Sequence, residues 1–99
     1  MSNAITEGRK VVATAATAEA LAGDIPCDGV LITAETDNTG IIVVGGVGVV
    51  AALATRKGTP LAAGESCYVE VDSLARIYLD TTVNGDGVTY MVVQTSVRV

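Results

Sequence analysis

The chain has 99 residues, of which 49% are hydrophobic, 3% aromatic and 17% charged, with a formal net charge of −5. This length provides for one domain with a modest core of Val, Leu, Ile and Ala, and the apolar content argues against intrinsic disorder. The acidic charge and six scattered basic residues argue against nucleic acid as a partner, and the absence of histidine removes the commonest general base. Polar residues and glycines interrupt every apolar run before the roughly 18 residues that a membrane span needs.

The N-terminal residues 1–9, MSNAITEGR, are polar and predict a flexible arm, which leaves residues 10–99 as a single β-sandwich domain. Arg9 and Lys10, where the arm meets the domain, are candidates for contact with a neighbouring subunit. The arm lacks the basic and then apolar pattern of a leader, so no secretory signal is expected. The first strand-like run is KVVATAA, and the alanine-rich segment 15–22 is a candidate for a short helix.

The middle of the chain predicts two strands separated by a turn. GVLITAE (29–35) alternates, with Val30, Ile32 and Ala34 on one face, and DNTG (37–40) has turn composition. The following IIVVG (41–45) is apolar on both faces, which is typical of a strand covered on both sides. A second sheet is one expected cover, and a neighbouring subunit is a candidate for the other.

The glycine-rich stretch after this strand permits two interpretations. Gly46-x-Gly48-x-x-Ala51 matches the pattern of a dinucleotide-binding turn that opens a helix, here over residues 48–57. Against it, the glycines come mid-chain, the next residues are valines, and Glu65 and Glu70 do not suit the ribose-binding position. We therefore expect the glycines to bend the chain sharply, with residues 47–53 forming another strand or an apolar association loop.

Three further strands are predicted in the last third of the chain, at SCYVEVD (66–72), ARIYLDT (75–81) and VTYMVVQ (88–94). NGDG (84–87) between the last two is a strong hairpin signal. The alternation directs Cys67, Val69, Val71, Ala75, Ile77 and Leu79 inward, and Tyr68, Glu70, Asp72, Arg76, Tyr78 and Asp80 outward. Seven or eight short strands predict an all-β fold, a small antiparallel β-sandwich or jelly-roll-like barrel.

No residue pattern indicates catalysis, a cofactor or a metal. Cys27 and Cys67 form no metal motif and are interpreted as small buried hydrophobes, with a disulfide left open. The oxygen-rich pairs 37–38 and 84–86 are better explained by turns than by calcium. Catalytic, cofactor-binding and metal residues are therefore predicted to be none, and the chain is predicted not to be an enzyme.

The tyrosines raise one further alternative. Tyr68, Tyr78 and Tyr90 fall in three predicted strands, where they form either ordinary cross-strand pairs or an exposed aromatic stripe. The pairs are the preferred interpretation. A stripe would favour a small ligand-binding module, for example one that binds carbohydrate.

The order of the turn motifs over residues 10–93 resembles a group of small virion proteins of tailed bacteriophages. The matching features are Pro26-Cys27, Asp37–Gly40, Val44–Gly46, Pro60–Ser66 and a terminal hairpin at Val83–Val88. The resemblance implies a β-sandwich that binds a capsid surface as a head decoration (cement) or minor structural protein, without catalytic residues. Residues 47–58 depart from it, because they are more apolar than the turn expected there.

These observations together predict a non-enzymatic phage structural protein that oligomerises and decorates the capsid surface. The expected partners are the major capsid protein or another virion protein and the chain itself, as a homotrimer first and a dimer second, with no nucleic acid and no membrane. The expected location is the virion, assembled in the host bacterial cytoplasm, and a tail- or fibre-associated role is the alternative. The candidate contact residues are Ile41, Val43, Val47, Val49, Leu53, Arg9, Lys10, Tyr68 and Tyr78.

Overall fold

The computed structural model describes residues 3–95, with side chains described for residues 6–93. In chain order the strands are β1 (Asn3–Val11), β2 (Glu19–Ala20), β3 (Gly29–Ala34), β4 (Ile42–Gly45), β5 (Thr59–Leu61), β6 (Ser66–Val69), β7 (Tyr78–Thr81) and β8 (Gly87–Thr95). Short 3₁₀ turns lie at Leu53–Thr55 and Leu74–Arg76. Sheet A has the order β1-β8-β3-β6 and sheet B the order β2-β7-β4-β5. All the strand pairs are antiparallel, so the predicted all-β sandwich is confirmed.

The core lies between the two sheets and is built largely from alternate residues of β3, β4, β7 and β8. Val30, Ile32 and Ala34 are buried as their alternation predicts, and Ile77 and Leu79 are buried on the facing sheet. Cys67, Val69 and Val71 are half-buried and pack against this cluster. Small branched side chains thus fill the interior without any Phe or Trp.

The strands β7 and β8 do not form the predicted hairpin, because they lie in different sheets. β7 pairs with β2 and β4 in sheet B, whereas β8 pairs with β1 and β3 in sheet A. The segment 82–86 is therefore an arch that crosses the sandwich. The turn 35–41 is a second arch beside it, since it connects β3 of sheet A to β4 of sheet B.

Side chains of each arch form hydrogen bonds with the other arch, which explains why the hairpin prediction is wrong. The Asn38 Nδ2 group donates to Gly87 O at 2.9 Å, and Gly87 N donates to Asn38 Oδ1 at 2.9 Å. The buried carboxylate of Asp86 accepts from Thr39 N at 3.2 Å and from Gly40 N at 2.8 Å. The Asn, Asp and Gly residues that suggest a hairpin thus bond across to the neighbouring arch instead of closing a two-residue turn.

Residues 46–58, here called the cover loop, connect β4 to β5 within sheet B. Gly46 O accepts from Val49 N at 3.0 Å, and Val50 and Lys57 exchange two backbone hydrogen bonds of 3.1 and 2.9 Å. The loop lies on the outer face of sheet B, where Val49 and Ala51 bury Val43. The helix predicted as one interpretation of 48–57 is therefore absent, as is a helix over 15–22, where the described backbone contains β2 and bends.

Asp80 of β7 is buried, although the alternation predicts an outward and therefore exposed side chain. Its side chain is directed to the outer face of sheet B, as expected, but it is only 2% exposed because the cover loop lies over it. Its Oδ2 atom accepts from Ala51 N at 2.8 Å and its Oδ1 atom from Thr81 N at 2.9 Å. The carboxylate therefore ties the cover loop to the sheet. Tyr78 is also half-buried beneath the loop.

The predicted boundary between an arm and a domain at residue 10 falls inside β1. Residues 3–11 pair with residues 87–95 of β8 without interruption. β1 is the edge strand of sheet A, and native edge strands commonly carry charged side chains.

We expect Asp86→Ala to destabilise the fold by about 2 kcal/mol or more, because two backbone N–H groups of the neighbouring arch lose a charged acceptor. The measurement is the free energy of unfolding in urea. Asp37→Ala, which removes an exposed carboxylate from the partner arch, is the matched control and should change stability little. Equal losses in both variants would contradict the role assigned to Asp86.

We also expect Gly58→Ala to destabilise the fold by about 2 kcal/mol, because the cover loop returns to sheet B at a residue with φ of +123°. An added Cβ atom would lie 2.7 Å from the Val44 carbonyl oxygen. Gly48→Ala, in the same loop with nothing within 4 Å of the added atom, is the control. Thermal unfolding of both variants checks this, and a Gly58→Ala transition at the wild-type temperature would refute it.

Candidate functional site

The outer faces of the two sheets differ in what covers them. The cover loop lies over sheet B, whereas no described segment lies over the outer face of sheet A. Four large apolar side chains are exposed on that second face: Leu31 by 40%, Tyr68 by 55%, Met91 by 44% and Val93 by 37%. We call these four residues the A-face.

The A-face is continuous because its residues occupy neighbouring positions of three adjacent strands. Leu31 of β3 is paired with Met91 of β8 on one side and with Tyr68 of β6 on the other. Directly paired residues of an antiparallel sheet point to the same face. The Tyr68 ring extends over Gly29, where an added Cβ atom would overlap the hydroxyl oxygen. Because Gly29 has no side chain, the Tyr68 ring can lie flat against the backbone at this position. Gly29 is paired with Val93, so the ring also lies near Val93.

A polar border lies beside the A-face. A shallow groove of about 410 Å³ runs along it and is lined by Glu7, Gly8, Arg9, Leu31, Thr33, Thr89, Tyr90 and Met91. Arg9 donates from Nε and Nη2 to the two carboxylate oxygens of Glu35, the latter over 2.9 Å. This hydrogen-bonded pair raises the pKa of Arg9 and lowers that of Glu35. The groove therefore has an apolar floor with a charged end.

A second pair of exposed apolar residues lies on the cover loop. Val47 is 77% exposed and Leu53 is 79% exposed, and both are candidate contact residues of this segment. The loop that carries them lies against the sheet opposite to the A-face. The structure therefore offers two separate apolar surfaces.

Other candidate contact residues are used within the chain. Val43 is fully buried and Val49 is 6% exposed, so neither side chain is available to a partner. Ile41 and Tyr78 are half-buried against the same small cluster. The second face of IIVVG is thus covered by the chain's own cover loop. A neighbouring subunit was the candidate for this cover.

Arg9 and Lys10 also make contacts within the chain. Arg9 binds Glu35, and Lys10 Nζ lies 2.9 Å from Glu19 Oε1. The second ion pair joins the edge strands β1 and β2, and hydrogen bonding to Lys10 lowers the pKa of Glu19. Arg9 remains 60% exposed, so one of these two basic residues still presents its charge to solvent.

The three tyrosines do not form a common stripe. Tyr68 lies on the A-face, Tyr78 lies beneath the cover loop, and Tyr90 packs against the core and over Gly8 on the inner side of sheet A. Each is paired with an aliphatic residue or a glycine in the neighbouring strand, as in Tyr68 with Leu31. The preferred interpretation as cross-strand pairs is confirmed.

The glycine stretch lacks the geometry of a nucleotide site. Gly46 begins a turn that returns to the sheet, and no helix N-terminus follows it to hold a phosphate. Glu65 accepts from Ala62 N at 2.8 Å and so closes its own turn. The expectation that the glycines bend the chain after β4 is confirmed.

The two cysteines are thiols and are not joined to each other. Cys27 is 2% exposed and its Sγ atom lies 3.1 Å from Val71 O. Cys67 lines a cleft of about 320 Å³ between the sheets, and burial raises the pKa of its thiol. A raised pKa lowers the thiolate fraction and therefore the reactivity of Cys67.

Sequence reasoning did not select three of the four A-face residues: Leu31, Met91 and Val93. A signal for them exists in YMVV (90–93), where consecutive apolar residues place side chains on both faces of β8. The same argument applied to IIVVG predicts that a strand of this kind needs a cover on each face. In β8 the outer cover is missing from the described chain.

Among the described residues, no group of three or more Cys, Asp or Glu side chains is arranged to hold a metal ion. No helix in the same part of the chain is long and apolar enough to cross a membrane. No family model matches the sequence, and neither the curated proteins nor the solved structures contain a significant match.

The Arg9–Glu35 pair predicts a pH dependence of stability. Because the pKa of Glu35 is lowered from 4.5 by its hydrogen bond with Arg9, the pairing stabilises the fold above this value. The contribution is lost as the pH falls through the lowered pKa. We therefore expect wild type to lose more unfolding free energy than Glu35→Gln between about pH 7 and about pH 3. Glu70→Gln, at an exposed carboxylate, is the control, and parallel profiles for wild type and Glu35→Gln would exclude this role.

Proposed function

We propose that this chain is a non-enzymatic structural protein of a tailed bacteriophage, which binds the capsid surface as a decoration protein through the A-face. The observation that carries the proposal is the uncovered apolar face of sheet A, with Leu31, Tyr68, Met91 and Val93 exposed side by side. A contiguous exposed apolar patch on a small domain is typical of a protein-docking surface.

The shape of this surface favours a protein partner over a small molecule. The A-face lies on three adjacent strands, and its groove is open and shallow. Small-molecule sites are concave and enclose most of the ligand surface. A flat sheet face with one aromatic and three aliphatic residues instead matches another flat protein surface.

The small size of the A-face favours binding in many copies. Three strands at a spacing of about 4.8 Å and the three residue positions 91–93 at about 3.4 Å give a face of about 15 by 10 Å. This is well below the roughly 800 Å² per partner of a standard stable interface. A single contact of this size is weak, but a symmetric capsid presents many equivalent sites, and linked copies bind with higher avidity.

The resemblance in the order of turn motifs supplies the identity of the partner in this proposal. Two of those motifs, Asp37–Gly40 and Val83–Val88, lie in or beside the interlocked arches next to β3 and β8, which carry most of the A-face. The partner is the major capsid protein or another virion protein, and the location is the virion.

We expect Met91→Lys to weaken binding to undecorated capsids about tenfold or more, because it places a charge within the A-face. Leu53→Lys makes the same kind of change on the cover loop and should leave binding unchanged. The measurement is a co-sedimentation isotherm with capsids of the phage that encodes the chain.

Three outcomes would contradict parts of this proposal. Loss of binding in Leu53→Lys alone would move the docking surface to the cover loop. Absence of co-sedimentation for wild type would exclude capsid decoration. Antibody label on the tail of intact virions, seen by electron microscopy, would replace the capsid with a tail or fibre partner.

A further inference from the structure

The open edge of sheet A is formed by a long strand with unused backbone groups. β1 is the terminal strand of its sheet, and all nine of its residues pair with β8. Val12 N donates to Asp86 O at 2.9 Å, and the Lys10 carbonyl is also directed toward β8. Because backbone direction alternates along an antiparallel strand, Glu7, Arg9 and Val11 direct their N–H and C=O groups to the open edge.

We propose that β1 pairs with β1 of a second copy of this chain, antiparallel, about a two-fold axis at Gly8. In this register Glu7 lies opposite Arg9 of the partner subunit, and Arg9 lies opposite Glu7 of the partner subunit. Both residues direct their backbone groups to the open edge, so each such pair also exchanges two backbone hydrogen bonds. The dimer thus combines β-strand addition with two symmetric ion pairs.

Charge selects this register over its neighbours. A shift of the two-fold axis to Glu7 would place two glutamates opposite each other, and a shift to Arg9 would oppose two arginines. Like charges directly opposite in a sheet are destabilising. Only the axis at Gly8 opposes unlike charges at both positions while keeping the outward backbone groups in pairs.

The residues already present at this edge are compatible with the pairing. Gly8 has no side chain, and Tyr90 of the same chain occupies the space beside it. Arg9 donates from Nε and Nη2 to Glu35, which follows β3 and lies across β8 from the open edge, so the ion pair with the partner subunit's Glu7 requires the remaining N–H groups of the guanidinium. Arg9 is 60% exposed, so a partner can reach it.

The β1–β1 dimer forms independently of capsid binding, but it changes the surface that would bind the capsid. A two-fold axis perpendicular to the sheet would join two copies of sheet A into one eight-stranded sheet. The two A-faces would then point the same way and double the docking area. The dimer interface also differs from the cover-loop seam that the sequence alone suggests.

The test uses opposite charge reversals in the full-length chain, with molar mass measured by sedimentation velocity across a concentration series. Glu7→Arg and Arg9→Glu each place like charges opposite, so each should raise the dimer dissociation constant about tenfold or more. An equimolar mixture of the two variants restores unlike charges at both positions and should form heterodimers. Glu70→Arg, the same charge change beside the other edge of sheet A, is the control and should dimerise like wild type.

The pairing is overturned if wild type is monomeric throughout the series, or if Glu7→Arg dimerises as well as Glu70→Arg. It is also overturned if the mixture forms no more dimer than either variant alone. The mixing result does not depend on the fold stability lost with the Arg9–Glu35 pair, because the Arg9→Glu chains in the mixture carry the same loss as Arg9→Glu alone. Wild-type dimers that fail to sediment with capsids would exclude the decoration role alone, and capsid binding by a monomer would exclude the pairing alone.

Discussion

Strand β4 imposes the constraint on which the rest of the molecule depends. Ile42, Val43 and Val44 are consecutive and all buried, although a strand directs successive side chains to opposite faces. Both faces of sheet B must therefore be covered. Sheet A covers one face, and the cover loop, tied down by the Asp80 carboxylate at Ala51 N, covers the other.

The arches make this arrangement possible. Between residues 3 and 95 no α-helix lies over a sheet. Of the connections between the described strands, only β4–β5 stays within a sheet, and the others pass from one sheet to the other. Asn38 and Asp86 stabilise two adjacent crossings by bonding each arch to the other. The longest loop of the described chain, residues 46–58, covers sheet B, and no described loop covers the outer face of sheet A. The exposed A-face is thus a consequence of how the chain distributes its length.

The parts of this fold that sequence reasoning predicts are those governed by local periodicity. Alternation in 29–35 and 66–72 assigns the core residues correctly, and the glycines after β4 are correctly expected to bend the chain. The hairpin predicted at NGDG is wrong because Asn-Gly and Asp-Gly dipeptides specify a reversal of chain direction but not which sheet the next strand joins. That choice depends on the bonds of Asp86 and Asn38 to residues more than forty positions away.

The candidate site is less predictable for a related reason. Val43 is fully buried and Leu31 is 40% exposed, although both are apolar residues on outer faces. The sequence predicts a cover over Val43 but does not show which segment supplies it. The difference comes from the cover loop, whose position is fixed by Asp80 and by the backbone ladder between Val50 and Lys57. Exposure is therefore a tertiary property here, and only the double-faced pattern of 90–93 gives a sequence signal for it.

The open edge at β1 and the uncovered face of sheet A have the same physical origin. A small sheet of four strands ends in edges with unsatisfied backbone groups and, without a second layer, leaves an apolar face in water. Proteins usually protect such edges with charge, and β1 carries Glu7, Arg9 and Lys10. Lys10 is directed back to Glu19 and so covers the gap between the sheets, whereas Glu7 and Arg9 remain at the edge with opposite signs two positions apart. An edge with one negative and one positive residue at this spacing opposes like charge in any foreign strand that carries charge of only one sign. The same two residues match an antiparallel copy of β1, so they limit indiscriminate aggregation and select a second copy of the chain.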